Sequence, residues 1–166
     1  MRETVEGDEV DVLVDEWHRE RSDLDLTPVE VFSRISRLSR HLDLARRDAF
    51  TEHDIEPWEF DVLTALRRAG KPYQLTPGRL IKETMVTSGT MTNRVDRLAE
   101  RGFVVRSPDA NDRRGVIVTL TAAGKRTVDA AFEELIQRER DLLTNLSASD
   151  RATLATLLRR LMAPFG

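Results

Sequence analysis

The polar residues with the clearest chemical use lie in one stretch, VTSGTMTNRVDRLAERGFVVRSPDANDRRGVIVTL, which covers residues 86–120. Met91, Val95 and Leu98 recur there at helical spacing and predict a buried stripe. Outside this stripe, the candidate DNA-contacting side chains are hydroxyls, one amide and arginines: Thr87, Ser88, Thr90, Asn93, Arg94 and Arg97. Short hydroxyl and amide groups at a helix N-terminus can reach base edges in a DNA major groove, and arginines can bind guanine or phosphate. This segment is therefore a candidate nucleic-acid interface.

A polar turn, SPDANDRRG, separates two short apolar runs that are predicted as strands over Phe103–Arg106 and Val116–Leu120. Its turn-forming residues predict a β-hairpin with an exposed tip. Arg113 and Arg114 lie at this tip, and a guanidinium suits the negative potential of a narrow minor groove. Asp112, two residues before Arg114, is placed to orient that side chain.

Each of these residues also has a purely structural use. Thr and Asn at a helix start often serve as N-caps, arginines in a turn are often only solvated, and Asp112 can shape the turn itself. The order of elements is more specific, because a helix opened by Thr76 and Pro77 is followed by a turn, a capped helix and a basic hairpin. This order is typical of a helix-turn-helix with a β-wing, so the pattern favours DNA binding.

The net charge of −3 conceals an asymmetry along the chain. Residues 1–30 carry 11 acidic and 3 basic side chains, whereas residues 76–120 carry 8 basic and 5 acidic ones. Phosphate binding requires a local cationic face rather than a positive whole-chain charge. The charge distribution therefore agrees with a nucleic-acid partner for residues 76–120.

Composition excludes or disfavours several function classes. The absence of cysteine excludes disulfides, thiol nucleophiles and thiol-based redox sensing. His18, His41 and His53 lack metal-ligand spacing, and the sequence has neither a glycine-rich phosphate loop nor a Ser/His/Asp set. We therefore expect no metal, no cofactor and no enzymatic activity. A metal-responsive regulator and a helical interaction module without DNA binding are the open alternatives.

Membrane insertion and export are not expected. No apolar run approaches the length of a membrane span, and the acidic N-terminus lacks the basic-then-apolar pattern of a signal peptide. The expected location is the cytoplasm.

Helices are predicted on both sides of the candidate interface. Apolar residues at helical spacing indicate helices over about residues 10–21, 27–50 and 57–69, and two more begin after Thr121 and near Ser147. The expected fold class is mainly α with a small β-wing, in which a winged helix-turn-helix domain is flanked by N- and C-terminal helices.

Three apolar seams, at residues 31–42, 128–143 and 154–161, exceed what one small core needs, so some of them are expected to face a second chain. A separate stripe on the second helix contains Arg34, Arg37 and Arg40. This stripe is either a solvated helix face or a contact surface for phosphate or another anion.

The residues of the candidate interface resemble the MarR family of transcriptional regulators. The likeness includes the Asp-x-Arg of the wing, here Asp112 and Arg114, and the V-x-L-T-x-x-G pattern at Val118–Gly124, and it covers about residues 28–163. It implies a homodimer that binds double-stranded DNA at a palindromic operator and is released by a small aromatic or anionic effector. The corresponding regions are N-terminal dimerisation helices that also form an effector-pocket wall (1–50), the winged helix-turn-helix (51–120) and C-terminal dimerisation helices (121–166).

The segment DEWHRERSDLDLTP, ahead of the usual family start, resembles the branch of this family that responds to urate and related anions. The effector-binding residues that this likeness implies are Trp17, Asp61, Arg94 and Arg106. Two arginines could hold the polar edge of an anion while a tryptophan covers its ring. As structural alternatives, Trp17 can be a packing anchor, Asp61 can pair with an arginine and Arg106 can contact phosphate.

Overall fold

The computed structural model describes residues 7–109 and 115–165, which form two compact units that divide after Leu44. Seven α-helices and three strands lie in these ranges, and a short 3-10 turn ends them. The elements are α1 (Glu9–Glu20), α2 (Thr27–Thr51), α3 (Pro57–Arg68), β1 (Gln74–Leu75), α4 (Pro77–Thr84), α5 (Ser88–Glu100), β2 (Val104–Pro108), β3 (Val116–Leu120), α6 (Ala122–Leu142), α7 (Ala148–Met162) and the 3-10 turn Ala163–Phe165.

In the first unit, Val10 and Val14 of α1 form a small apolar cluster with Leu26, which precedes α2, and ion pairs of the acidic N-terminal segment join the two helices. Asp8 caps α1 by accepting hydrogen bonds from two backbone amides of its first turn. The guanidinium of Arg34 on α2 lies 2.8 Å from a carboxylate oxygen of Asp8 and 2.6 Å from one of Asp11. These hydrogen bonds raise the pKa of Arg34, and the bond from Arg34 lowers the pKa of Asp8. Arg37 contacts Glu9 at 3.2 Å, so two arginines of the predicted stripe bind neighbouring carboxylates.

The core of the second unit forms around α3. Phe60, Val62, Leu63, Ala65 and Leu66 are buried on this helix, which gives it apolar contacts on more than one side. The other buried residues of this core come from α2, the turn after it, α4, α5, β2, β3 and α6: Ala49, Phe50, Ile55, Leu80, Met91, Val95, Leu98, Val104, Val118, Leu120, Val128, Ala131 and Leu135. The predicted buried stripe of α5 is therefore confirmed. Burial of side chains of this size stabilises a fold by about 1.5–3 kcal/mol each.

The sheet has three strands rather than the two of the predicted hairpin. Its order is β1-β3-β2, and both pairings are antiparallel, with Gln74 and Val105 on either side of Thr119. A two-residue strand such as β1 has no alternating pattern, which is why the sequence did not reveal it. The tip between β2 and β3 contains Asp112, Arg113 and Arg114, which lie outside the described residues.

The V-x-L-T-x-x-G pattern has a structural role at the start of α6. The Thr121 hydroxyl donates to the carbonyl of Gly102 at 2.8 Å and accepts from the amide of Gly124 at 3.0 Å. A Cβ on Gly124 would lie only 2.2 Å from the carbonyl oxygen of Phe103. The absent side chain therefore lets α6 approach the turn that joins α5 to β2.

In the described parts of the chain, no helix is both long and apolar enough to cross a lipid bilayer.

We predict that Gly124→Ala lowers the free energy of unfolding by about 2 kcal/mol or more, because the new methyl group meets a backbone carbonyl that has little room to move. Urea denaturation at fixed protein concentration measures the change. Gly89→Ala is the matched control, since a Cβ there meets no atom within 4 Å. The control is expected to leave stability unchanged or to raise it by about 0.5–1 kcal/mol. Equal stability of the two variants would contradict the close approach at Gly124.

Candidate nucleic-acid interface

The helix-turn-helix is formed by α4, a three-residue turn and α5. Thr76 caps α4 by accepting from the amide of Arg79, and Pro77 takes the first helical position. Met85 ends this helix in a left-handed conformation with φ of 52°, and its side chain is 93% exposed. Because Leu80 on α4 and Met91 on α5 are both fully buried, the two helices are held against the same core.

The N-terminal end of α5 presents small polar groups on an exposed surface. Thr87 is the N-cap and accepts from the amide of Thr90 at 3.4 Å, and the two hydroxyls lie 2.9 Å apart. Ser88 and Asn93 are exposed as well. The Thr87 hydroxyl accepts the capping hydrogen bond but is not buried by it. Thr87 therefore caps the helix and stays accessible to a ligand.

Arg94 and Arg97 both lie over the indole ring of Trp58, at 5.5 and 4.8 Å from its centroid. Trp58 belongs to the first turn of α3, and its Nε1 donates to a carboxylate oxygen of Glu56 at 2.7 Å. The other oxygen of Glu56 lies 3.8 Å from Arg97. These side chains border a shallow concavity of about 440 Å³ beside α5.

Sequence reasoning missed Trp58, although a signal was present. In the helix predicted over residues 57–69, Phe60, Leu63 and Leu66 recur at a spacing of three, and Trp58 does not continue that spacing. Trp58 is half-buried and packs partly against the core, and a ring of this size and polarity can contact a neighbouring helix with the rest of its surface.

An ion pair between buried Glu59 and Arg101, the C-cap residue of α5, attaches that end of α5 to α3. Nη1 of Arg101 lies 2.6 Å from a carboxylate oxygen of Glu59, which is only 1% exposed. The same oxygen accepts the amide of Glu56 at 2.9 Å. Arg101 also reaches the carboxylate of Asp54 at 2.9 Å. A buried carboxylate requires such partners, so this contact determines where the last turn of α5 lies.

The residues predicted to bind an effector have different surroundings. Asp61 lies 3.2 Å from Arg46, and Arg106 is ion-paired with Asp96 on α5. Arg94 contacts the ring of Trp58, and it does not line the cavity that Asp61 lines. Trp17 lies on α1 in the first unit, with 48% of its surface exposed.

The cavity beside Asp61 is the larger one, with a volume of about 680 Å³. Its walls come from α3, α4 and α6 and combine aromatic, aliphatic and charged side chains: Phe60, Asp61, Thr64, Arg67, Arg68, Glu83, Thr84, Met85, Val128, Asp129 and Phe132. The rings of Phe60 and Phe132 are 6.4 Å apart between centroids. Such walls suit a small ring that carries polar substituents.

Charged groups of this cavity are paired across its walls. Asp129 lies 2.7 Å from Arg67 and 2.6 Å from Lys125. Partial burial raises the pKa of Asp129, but the hydrogen bonds from these two cations outweigh that effect, and the pKa is lowered overall. The same contact raises the pKa of Arg67. A ligand that binds here would exchange contacts with groups that are already ionised.

Residues 7–109 and 115–165 contain no group of three or more histidines and acidic residues arranged to hold a metal ion.

Comparison with known proteins assigns the family. The model of the MarR family matches residues 53–115. The transcriptional regulator PecS of Dickeya dadantii is 37% identical over 152 residues, which is 92% of this chain and 92% of PecS. These matches confirm the resemblance noted in the sequence.

Two solved structures extend the likeness to three dimensions. A mutant of Escherichia coli MarR in complex with operator DNA has a TM-score of 0.70 and 30% identity, over 82% of this chain and 96% of that one. BpsR of Bordetella bronchiseptica, whose DNA binding is regulated by 6-hydroxynicotinic acid, has a TM-score of 0.59 and 26% identity, over 77% of this chain and 98% of that one. The relatives regulate transcription and are not enzymes. This chain therefore belongs to the MarR family of winged helix-turn-helix transcriptional regulators.

Proposed function

We propose that the chain binds a palindromic operator in double-stranded DNA through α5. The observation that carries this proposal is the exposed polar end of α5, where Thr87, Ser88, Thr90 and Asn93 face solvent on a helix whose other side is buried. A helix held in this way can enter the major groove with its N-terminal side chains at the base edges. The fold likeness to an operator-bound MarR supports the same placement.

The roles of the individual side chains follow from their reach. Asn93 is long enough for a base edge, and the hydroxyls of the first turn supply short donors and acceptors. Arg94 and Arg97 are assigned to guanine or to phosphate. In the wing, Arg113 and Arg114 are assigned to the minor groove and Asp112 to the orientation of Arg114, as the sequence suggests.

A regulator of this kind acts where the chromosome lies, so the proposed location is the cytoplasm.

The proposed active species is a homodimer. Every described residue of α7 is exposed, although the helix carries apolar side chains at helical spacing. These are Leu154, Leu157, Leu158, Leu161 and Met162, which are 37–61% exposed, and Phe165 follows them at 82%. A contiguous face of exposed apolar side chains marks a protein contact site, and a second copy of the chain would bring the same apolar face by symmetry. Two copies would also carry two α5 helices to half-sites about one helical turn, ~10 bp, apart.

A small aromatic or anionic effector is proposed to control this binding. Asp61 lines a cavity large enough for one small ring, and that cavity adjoins the turn of the helix-turn-helix at Met85. BpsR is regulated by 6-hydroxynicotinic acid, which has this chemistry. Trp17, Arg94 and Arg106 stay proposed effector contacts on the basis of the sequence likeness alone.

The DNA proposal is tested by selecting duplexes from random-sequence DNA with the purified protein. We expect an inverted repeat to be enriched. On that duplex, Arg114→Ala is expected to weaken binding across sequences and to reduce the salt slope by about one unit, because a phosphate or minor-groove contact is lost. Asn93→Ala should instead broaden base preference at one position of each half-site. If neither variant alters binding, α5 and the wing are not the DNA-contacting elements.

The dimer proposal is tested with Leu157→Asp, which places a charge on the apolar face of α7. We expect sedimentation to change from a dimer to a monomer and operator affinity to fall at least about tenfold, since each half-site alone is bound weakly. Ala152→Asp is the matched control, because helical geometry puts residue 152 on the opposite face of α7. A Leu157→Asp protein that still sediments as a dimer would place the interface elsewhere.

The effector proposal is tested by thermal melting with urate, salicylate and 6-hydroxynicotinate. A compound that binds the native protein raises the Tm, and an effector should also weaken operator binding about 5- to 150-fold. Asp61→Asn is expected to reduce the Tm response while leaving operator binding by the ligand-free protein intact. Glu133→Gln, an exposed carboxylate on α6, is the control. Equal responses of wild type and Asp61→Asn would remove Asp61 from the effector site.

A further inference from the structure

We propose that Trp58 is a positioning residue for DNA recognition, and that its indole ring holds Arg94 and Arg97 in the orientation from which they bind DNA. This inference rests on the proposed function. It assigns a role to a residue of α3, a helix that supplies no predicted DNA contact.

The geometry joins two helices through one ring. Arg94 and Arg97 are three residues apart on α5, and both guanidinium carbons lie within 6 Å of the Trp58 centroid. A cation within this distance of an indole ring is attracted by the negative electrostatic potential of the ring face. Because the two arginines lie on neighbouring turns, one ring restrains both side chains together.

The ring is held at the start of α3 by a hydrogen bond and by packing against the core. Trp58 follows Pro57, which begins α3, and its Nε1 donates to Glu56 at 2.7 Å. The amide of Glu56 is bound in turn by Glu59, and Glu59 is the buried partner of Arg101 on α5. The ring therefore contacts the middle of α5 directly and is linked through Glu56 and Glu59 to the residue that ends α5. A residue placed by rigid elements can orient a binding group precisely.

A ring restrains an arginine without cancelling its charge, which distinguishes Trp58 from the carboxylates nearby. Arg101 and Arg106 are paired with Glu59 and Asp96 and are therefore partly neutralised. Arg94 instead contacts an uncharged ring. Its full positive charge is available to a phosphate or a guanine, and its side chain has already lost part of its freedom before DNA arrives.

The test is a double-mutant cycle on the selected duplex, measured by fluorescence anisotropy. Trp58→Leu is expected to weaken binding about fivefold in the wild-type background, the loss equivalent to two exposed cation–π contacts. In a background that carries both Arg94→Ala and Arg97→Ala, the same substitution should have almost no effect, because the groups that it positions are absent. Trp58→Phe, which keeps an aromatic face, should restore most of the affinity.

Two controls keep the outcomes distinct. Circular dichroism and sedimentation check that each variant is folded and of wild-type mass, and Trp58→Met replaces Trp58→Leu if the latter fails this check. An equal loss of affinity in both backgrounds, or wild-type affinity of Trp58→Leu, overturns the positioning role while the proposed function stands. A wild-type protein that binds no duplex overturns the proposed function and this inference with it.

Discussion

The contact between Glu59 and Arg101 governs how the polar face of α5 is presented. Glu59 is almost completely buried, and a carboxylate in that position is strongly destabilising unless a cation and hydrogen-bond donors surround it. Arg101, the C-cap residue of α5, supplies the cation, and the amide of Glu56 supplies a donor. The pair therefore brings the end of α5 to the beginning of α3. With the buried stripe of α5, it determines which side of that helix meets solvent.

The arginines that the structure describes differ in the groups that they contact. Arg34 binds two carboxylates of the acidic N-terminal segment, so the charge of that segment is partly neutralised within the first unit. Arg67 links α3 to α6 through Asp129. Arg94 and Arg97 lie over an aromatic ring, which leaves the charge of Arg94 available, whereas Arg97 also lies 3.8 Å from Glu56. The net charge of the whole chain therefore says little about what α5 offers to a phosphate, because the partners of each arginine decide its effective charge.

Much of the interface could be predicted because it is local in sequence. Spacings of three and four along one helix determine the buried stripe of α5, the cap at Thr87 and the polar residues on the exposed side of the helix. The contacts that Trp58 and Glu59 make with the arginines of residues 94–101 could not be predicted in the same way, because each of these contacts joins residues more than 35 positions apart. The ion pairs of the predicted effector-binding residues could not be predicted from local spacing either. Asp61 pairs with Arg46, and Arg106 pairs with Asp96.

The sequence by itself determined the order of helices, the capped polar helix, the basic hairpin and the family, because periodicity, caps and turn residues act over a few positions. Only the tertiary structure decided that β1 joins the sheet, that Gly124 lies against a carbonyl and that Trp58 lies beneath two arginines of α5. The physical reason is that packing and ion pairing depend on distances in space. Those distances are set when distant segments share one core, and no local pattern encodes them.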